Sequence, residues 1–281
     1  MHPKLNTLVW VSTWLALCSV SRADDLAVKG REILQKNQPV VVTVQMVVKA
    51  KMSMAGVGVP DNESTKELTG TVVDPSGLTV ISLSTLDPGG MMQAMFATTG
   101  EEGAKFKMDT ELSDIKILLD DGTDTPAEVV LRDQDLDLAF IRPKTKPASP
   151  MLAVDLTKPG QALVLDQVIA LNRLGAAASR AYAASVERIT AIAQKPRLSY
   201  IPDSTMTATS MGCPAFTLDG NFLGVFVTRT LKPQGGGGMM GMLNFPQGNF
   251  TSIILPAKDL LEATRQALEV KMESKAETEK K

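Results

Sequence analysis

The sequence predicts an all-β protein of two barrel-like or sandwich-like units, with a short helix at each end. Three observations predict it. Short β-branched or apolar runs recur at 40–48, 68–73, 78–83, 115–119, 127–131, 138–142, 162–171, 186–193, 222–228 and 252–255, separated by turn sequences such as 74–77 (DPSG), 120–122 (DDG) and 218–221 (LDGN). Residues 142–150 (RPKTKPASP) place three prolines in nine positions and divide those runs into two groups. Beyond Pro256 the period changes, with Leu260, Leu261, Thr264, Ala267, Leu268 and Met272 recurring at helical spacing.

Taken in order, residues 1–4 are short and basic, 5–20 are largely apolar, and Ser21-Arg22-Ala23 puts small residues at the two positions that decide cleavage. That pattern predicts a secretory signal peptide over 1–23 and a secreted or periplasmic product. An uncleaved anchor competes, but Asn6, Thr7, Ser12 and Thr13 interrupt the run, which is short for a bilayer. Lipidation of Cys18 is disfavoured by Leu17, which stands where a small residue is wanted. Cleavage removes both tryptophans, Cys18 and the single histidine, His2, and with Lys4 and Arg22 gone the formal charge falls from -2 to -4. One cysteine remains, Cys213, so no intrachain disulfide can form and a hydrophobic core must supply the stability. A mildly acidic chain with no basic block has no footprint for a nucleic-acid backbone. No second apolar run is long enough to span a membrane.

Residues 24–38 read as a short amphipathic helix, with Leu26, Ile33 and Leu34 among charged residues and Pro39 as its stop. Residues 39–142 form the first expected β-barrel, opening on the nearly continuous run 40–48 (VVVTVQMVV). Residues 143–150 are the linker, 151–256 the second barrel, and 257–281 the closing helix with a charged tail that frays from 273 onward. Segments 55–66, 88–110 and 232–248 read as excursions, the last containing four successive glycines.

Several motifs in this order resemble the HtrA/Deg branch of the chymotrypsin-like serine proteases. Residues 70–77 (GTVVDPSG) are similar to that family's hairpin before its catalytic histidine. Residues 115–122 (IKILLDDG), 127–133 (AEVVLRD) and 135–141 (DLDLAFI) resemble the strands that carry its aspartate. Residues 160–175 (GQALVLDQVIALNRLG) and 185–192 (SVERITAI) are similar to the start of its second barrel, and 210–216 (SMGCPAF) stands where the nucleophile loop falls. The resemblance spans roughly 39–268. It implies a chymotrypsin-like double β-barrel with a triad between two six-stranded barrels.

Carried over residue by residue, the histidine falls on Ser84, the aspartate on Asp137 and the serine on Met211, with Ser210 before it and Gly212 and Cys213 after. Serine catalysis needs a hydroxyl and a base of pKa near neutrality beside it, and methionine supplies neither. A one-residue slip making Ser210 the nucleophile still leaves the chain from residue 24 onward without histidine. A Ser-Lys dyad has no Ser-x-x-Lys motif at the mapped position, and Cys213 as a thiolate would lack an imidazole partner. The resemblance therefore implies no catalytic residues: an exported pseudoprotease that binds a protein or extended peptide by β-augmentation. The contacts expected are Thr209, Ser210, Met211 and Gly212, in the family's oxyanion region, with Ser84 and Asp137 across the cleft. Asp137 has a plainer possibility as a structural acceptor for backbone N–H groups or for Ser84. No PDZ module is expected after the closing helix.

Two functions from other classes stand beside this one. The first is an endopeptidase with a non-standard site. The second is a Cu(I)-binding protein, because methionines cluster at Met52/Met54, Met91/Met92/Met95 and Met239/Met240/Met242, and thioethers suit a soft ion. Methionine also fills cores and adaptable binding surfaces, which explains the same clusters without a metal. No cofactor is expected: no nucleotide-binding glycine motif precedes a helix, and the aspartates lack EF-hand spacing.

Overall fold

The computed structural model describes residues 25–54, 57–58, 62–87, 106–120, 122–203, 210–230 and 250–270. Helix α1 (Asp25–Asn37) runs through a single 3-10 turn into β1 (Val41–Met54), followed by β2 (Val57–Gly58), β3 (Asn62–Val72), β4 (Thr79–Ser82), the one-turn helix α2 (Leu83–Leu86), β5 (Phe106–Leu118), β6 (Asp124–Asp133) and β7 (Leu138–Pro143). After the proline-rich stretch come β8 (Gln167–Arg173), β9 (Tyr182–Ala193), β10 (Ser199–Pro202), β11 (Pro214–Thr217), β12 (Phe222–Thr230), β13 (Phe250–Pro256) and α3 (Ala257–Glu269).

Both strand sets close on themselves. The first is ordered β1-β3-β4-β7-β6-β5 and is closed by β1–β5 pairing from Thr43↔Leu118 to Met54↔Phe106, with β2 added at the tip of β1. The second is a barrel ordered β10-β13-β12-β11-β8-β9. All the pairings are antiparallel. The chymotrypsin-like double barrel with terminal helices expected from the sequence is the fold of this chain.

Burial explains why particular strands line the junction between the barrels. On β4 and β7 every residue of Thr79–Ser82 and of 138–141 is buried, so these strands are covered on both faces. Ile81, Ala139 and Ile141 point into the first barrel beside Val42, Val44 and Met46. Val80, Leu138 and Phe140 point the other way, into a shared core with Leu171, Phe216 and Val225 of the second barrel and Leu260 and Ala263 of α3. Strands covered on two sides read as continuous apolar runs rather than as alternations, which is the pattern of LAFI, while TVIS buries two polar ends, Thr79 and Ser82, as well. The wall they make carries Ser82 at the end of β4 and Asp137 just before β7.

The strand limits differ from the sequence expectation at several strands, β1 running on to Met54 and β9 starting at Tyr182. The excursions at 55–66 and 88–110 each surrender residues to a strand: β3 begins at Asn62 and β5 at Phe106, because β1 pairs with β3 from Val41 to Ala50 and with β5 from Thr43 to Met54. Polar residues such as Asn62, Glu63 and Ser64 have little β preference of their own, and pairing decides their state. The run at 162–171 is strand only from Gln167, since Leu165 takes φ 76 and turns the chain before β8. Short strands β10 and β11 were not anticipated, being four residues each.

Candidate functional site

Asp137 sits at the junction. Asp133 prepares its position by accepting the amides of Asp135 (3.0 Å) and Leu136 (3.0 Å) on Oδ1, which closes a turn that delivers Asp137 with φ 57, a left-handed conformation that aspartate tolerates better than most residues. Its carboxylate accepts from Ser84 N at 2.6 Å, Ser82 Oγ at 2.7 Å, Ser84 Oγ at 3.2 Å and Thr228 N at 2.8 Å. Its carbonyl accepts Leu83 N at 3.0 Å. Burial pushes the Asp137 carboxyl above the usual carboxylate range, and these four donors pull partly against that rise.

Two of the residues mapped from the sequence, Ser84 and Asp137, are thus in direct contact. Ser84 lies in α2 and is bonded to Asp137 through both its amide and its hydroxyl. A histidine at that position would present its ring to the carboxylate; a serine hydroxyl is shorter and is absorbed into a Ser82–Ser84–Asp137 cluster, with the two Oγ atoms 3.0 Å apart.

The 210–214 turn crosses to face them. Gly212 has φ 88, and a Cβ there would lie 2.5 Å from Thr69 O and 3.3 Å from Ser82 N, so only glycine fits between the turn and the first barrel. Thr71 Oγ1 donates to Gly212 O at 2.7 Å, and Gly212 N donates to Phe226 O at 2.8 Å. Met211 is 6% exposed and belongs to the core of the second barrel with Phe226, Ile254 and Cys213; Ser252 Oγ on β13 points at its Sδ, 3.8 Å away. The side chain of Met211, which the resemblance maps to the nucleophile position, is turned into the barrel. Thr209 lies outside the described residues.

Ser210 is held on the other flank. Asn172 Nδ2 donates to Ser210 Oγ at 2.9 Å, while Asn172 Oδ1 accepts Thr69 Oγ1 at 2.6 Å and Arg173 N at 2.8 Å. Cys213 is fully buried, and desolvation, with Glu187 nearby, pushes its thiol well above the ordinary range, away from thiolate chemistry. Among the described residues no group of three His, Cys, Asp or Glu is placed to hold a metal ion, and no helix is long and apolar enough to cross a membrane. Of the methionine clusters, Met52 stands opposite Met108 in the β1–β5 register, and the clusters at 91–95 and 239–242 lie outside the described residues.

Sequence reasoning missed Ser82, Thr228, Asn172 and Thr69. Asn172 lies in the 160–175 motif and was within reach of it; the other three contribute through a backbone amide or one hydroxyl, which carry no sequence signature.

The double barrel, with its buried carboxylate between the two halves, defines the fold of the trypsin-like, HtrA-type proteases. A solved structure of the HtrA-type protease AlgW, a serine-to-alanine variant with a tripeptide, is similar at a TM-score of 0.52 and 15% identity, covering 85% of this chain and 64% of that one. This chain therefore spans somewhat under two thirds of that protein. The apo protease domain of MamO from Magnetospirillum magneticum is 16% identical over 81% of this chain and 96% of that one, with a TM-score of 0.46. No protein-family model and no curated protein sequence matches the chain.

Proposed function

We propose that this chain is an exported pseudoprotease: a trypsin-like double barrel that binds an extended peptide and does not cleave it. The observation that carries the proposal is the burial of Met211 in the second barrel at the nucleophile position. Hydrolysis by this fold needs a hydroxyl facing a base, and here the facing residues are a thioether turned inward and Ser84, which has no titratable nitrogen. The chain beyond residue 2 contains no histidine to act as base.

Binding is supported by the edge of β12. Strand β11 pairs with β12 only from Phe222 to Val225, and the 210–214 turn then takes both backbone groups of Phe226. Thr228 and Thr230 lie two and four residues further on, so their backbone groups point the same way, away from β13. Thr228 N is used by Asp137, and among the described residues no strand pairs with that edge. An extended peptide adding antiparallel there gains main-chain hydrogen bonds and lies across Met211, Gly212 and the Ser84–Asp137 cluster.

The test uses residues 24–281. Casein hydrolysis and fluorophosphonate labelling are measured beside an active HtrA-type protease, and binding is measured against a displayed library of random extended peptides. Absence of labelling with selective peptide enrichment is expected. Labelling of any serine, abolished by Ser210→Ala, would establish an endopeptidase with a non-standard site instead.

A further inference from the structure

On the far side of Met211 the two barrels are laced together. The end of β8 and the turn that follows it reach across to the first barrel with Arg173 and Arg180. Arg180 donates from Nε (3.2 Å) and from a terminal nitrogen (2.5 Å) to Glu67 Oε1 on β3, and Gln45 Nε2 on β1 donates to the same oxygen at 3.1 Å. Arg173, whose side chain is 8% exposed, donates to Leu118 O at 3.1 Å, pairs with Asp120 at 3.1 Å and lies over the Tyr182 ring, and Tyr182 Oη donates to Asp120 in turn. Between these bridges and the 210–212 turn stands the Thr69–Asn172–Ser210 chain of hydrogen bonds.

The backbone of the turn is bent to make this reach. Ser179 and Arg180 take φ 55 and 52 in succession, a costly conformation for two non-glycine residues that persists only where the surroundings over-determine it. Here the surroundings supply the two nitrogens of Arg180 on Glu67 Oε1, together with the turn's own backbone bonds from Ser179 N to Ala176 O and from Arg180 N to Gly175 O.

The seam bears on direction. β12 runs from Phe222 toward Thr230, so an antiparallel partner enters at Thr230, passes Thr228 and advances its C-terminal end toward Met211 and Ser210. To continue, it would have to pass between β3 and the β8–β9 turn, where Thr69–Asn172 and Glu67–Arg180 join the walls. We propose that the groove is closed at this end by the Arg180–Glu67 bridge and accepts the C-terminal end of a polypeptide rather than an internal stretch. The proposal rests on the peptide-binding function proposed above.

Two libraries of random decapeptides test it, one displayed with a free C-terminal end and one followed at that end by a carrier domain, each panned against residues 24–281 and against Arg180→Ala and Glu67→Gln. The unaltered protein is expected to enrich the free-ended library at least about tenfold over the blocked one, and the variants to bring the two libraries within about twofold of each other. Circular dichroism melting verifies that each variant is folded, and Arg180→Lys, which keeps the charge but not the fork, is expected to behave like Arg180→Ala. Equal enrichment of both libraries by the unaltered protein overturns the closed end while leaving peptide binding intact. Free-end preference that survives in all three variants overturns the role of the bridge. Enrichment of neither library by any form sinks peptide binding itself, and the closed end with it.

Discussion

Asp137 of the first barrel accepts the backbone N–H of Thr228 in the second at 2.8 Å, through the same carboxylate that gathers Ser82 and Ser84. In a triad such a carboxylate orients a histidine; here it satisfies the amide of Ser84 within the first barrel and that of Thr228 across the junction. A buried donor left without a partner costs more than a made bond returns, so the carboxylate at this position is constrained by the packing of the two barrels.

Replacing Asp137 with Ala is expected to cost about 3 kcal/mol in chemical denaturation, since the amides of Ser84 and Thr228 both lose their acceptor. A loss under about 0.5 kcal/mol would mean that water replaces the carboxylate without penalty.

The pH dependence of Asp137→Asn carries a definite sign. Burial raises the folded carboxyl above its unfolded value, so proton uptake favours the folded state: this group's contribution grows as pH falls through the raised folded value and levels off below the ordinary carboxylate range. Asparagine cannot titrate and points an N–H₂ group at existing donors. Its stability deficit relative to the unaltered protein is therefore expected to be larger near pH 4 than at pH 7.5, by paired urea titrations. A deficit that shrinks on acidification contradicts the burial argument.

Met211→Ser is expected to remain inactive toward casein and fluorophosphonate and to lose about 2 kcal/mol of stability, because it opens a cavity in the second barrel and buries a hydroxyl there. Turnover by this single variant would show that some other group serves as base.

Gly212→Ala is expected to destabilise by more than about 2 kcal/mol or to prevent folding, from a left-handed φ combined with a Cβ 2.5 Å from Thr69 O. Thermal melting of Gly212→Ala beside Gly175→Ala, where a Cβ meets nothing within 4 Å, separates the local clash from any general loss of glycine.

Cys213 is the one thiol of residues 24–281, buried and with its ionisation suppressed. Iodoacetamide at neutral pH should modify none of it in the folded protein and all of it in denaturant, as mass spectrometry would read directly. Labelling of the folded protein within minutes would place the thiol at the surface.

The fold was largely legible in the sequence because its determinants are local and repeated. Turn residues at 74–77 and 218–221, β-branched runs and the switch to helical period after Pro256 each act over a few residues, and their order along the chain is enough to suggest two barrels. The meeting of Ser84 with Asp137 was legible too, through the resemblance of 70–77 and 135–141 to the family's motifs. Where β3 and β5 begin was not legible, because polar residues such as Glu63 and Ser64 become strand only through pairing with β1.

The sequence by itself determined that no histidine follows residue 2, and its resemblance to the HtrA-type proteases implied that Met211 falls at the nucleophile position. Only the tertiary structure decided that Met211 turns inward toward Ser252, that Asp137 reaches Thr228, and that Arg180 finds Glu67. Those contacts join residues separated by 41, 91 and 113 positions. Periodicity and turn chemistry act between near neighbours, whereas a partner so distant is selected by the closing of two barrels against each other.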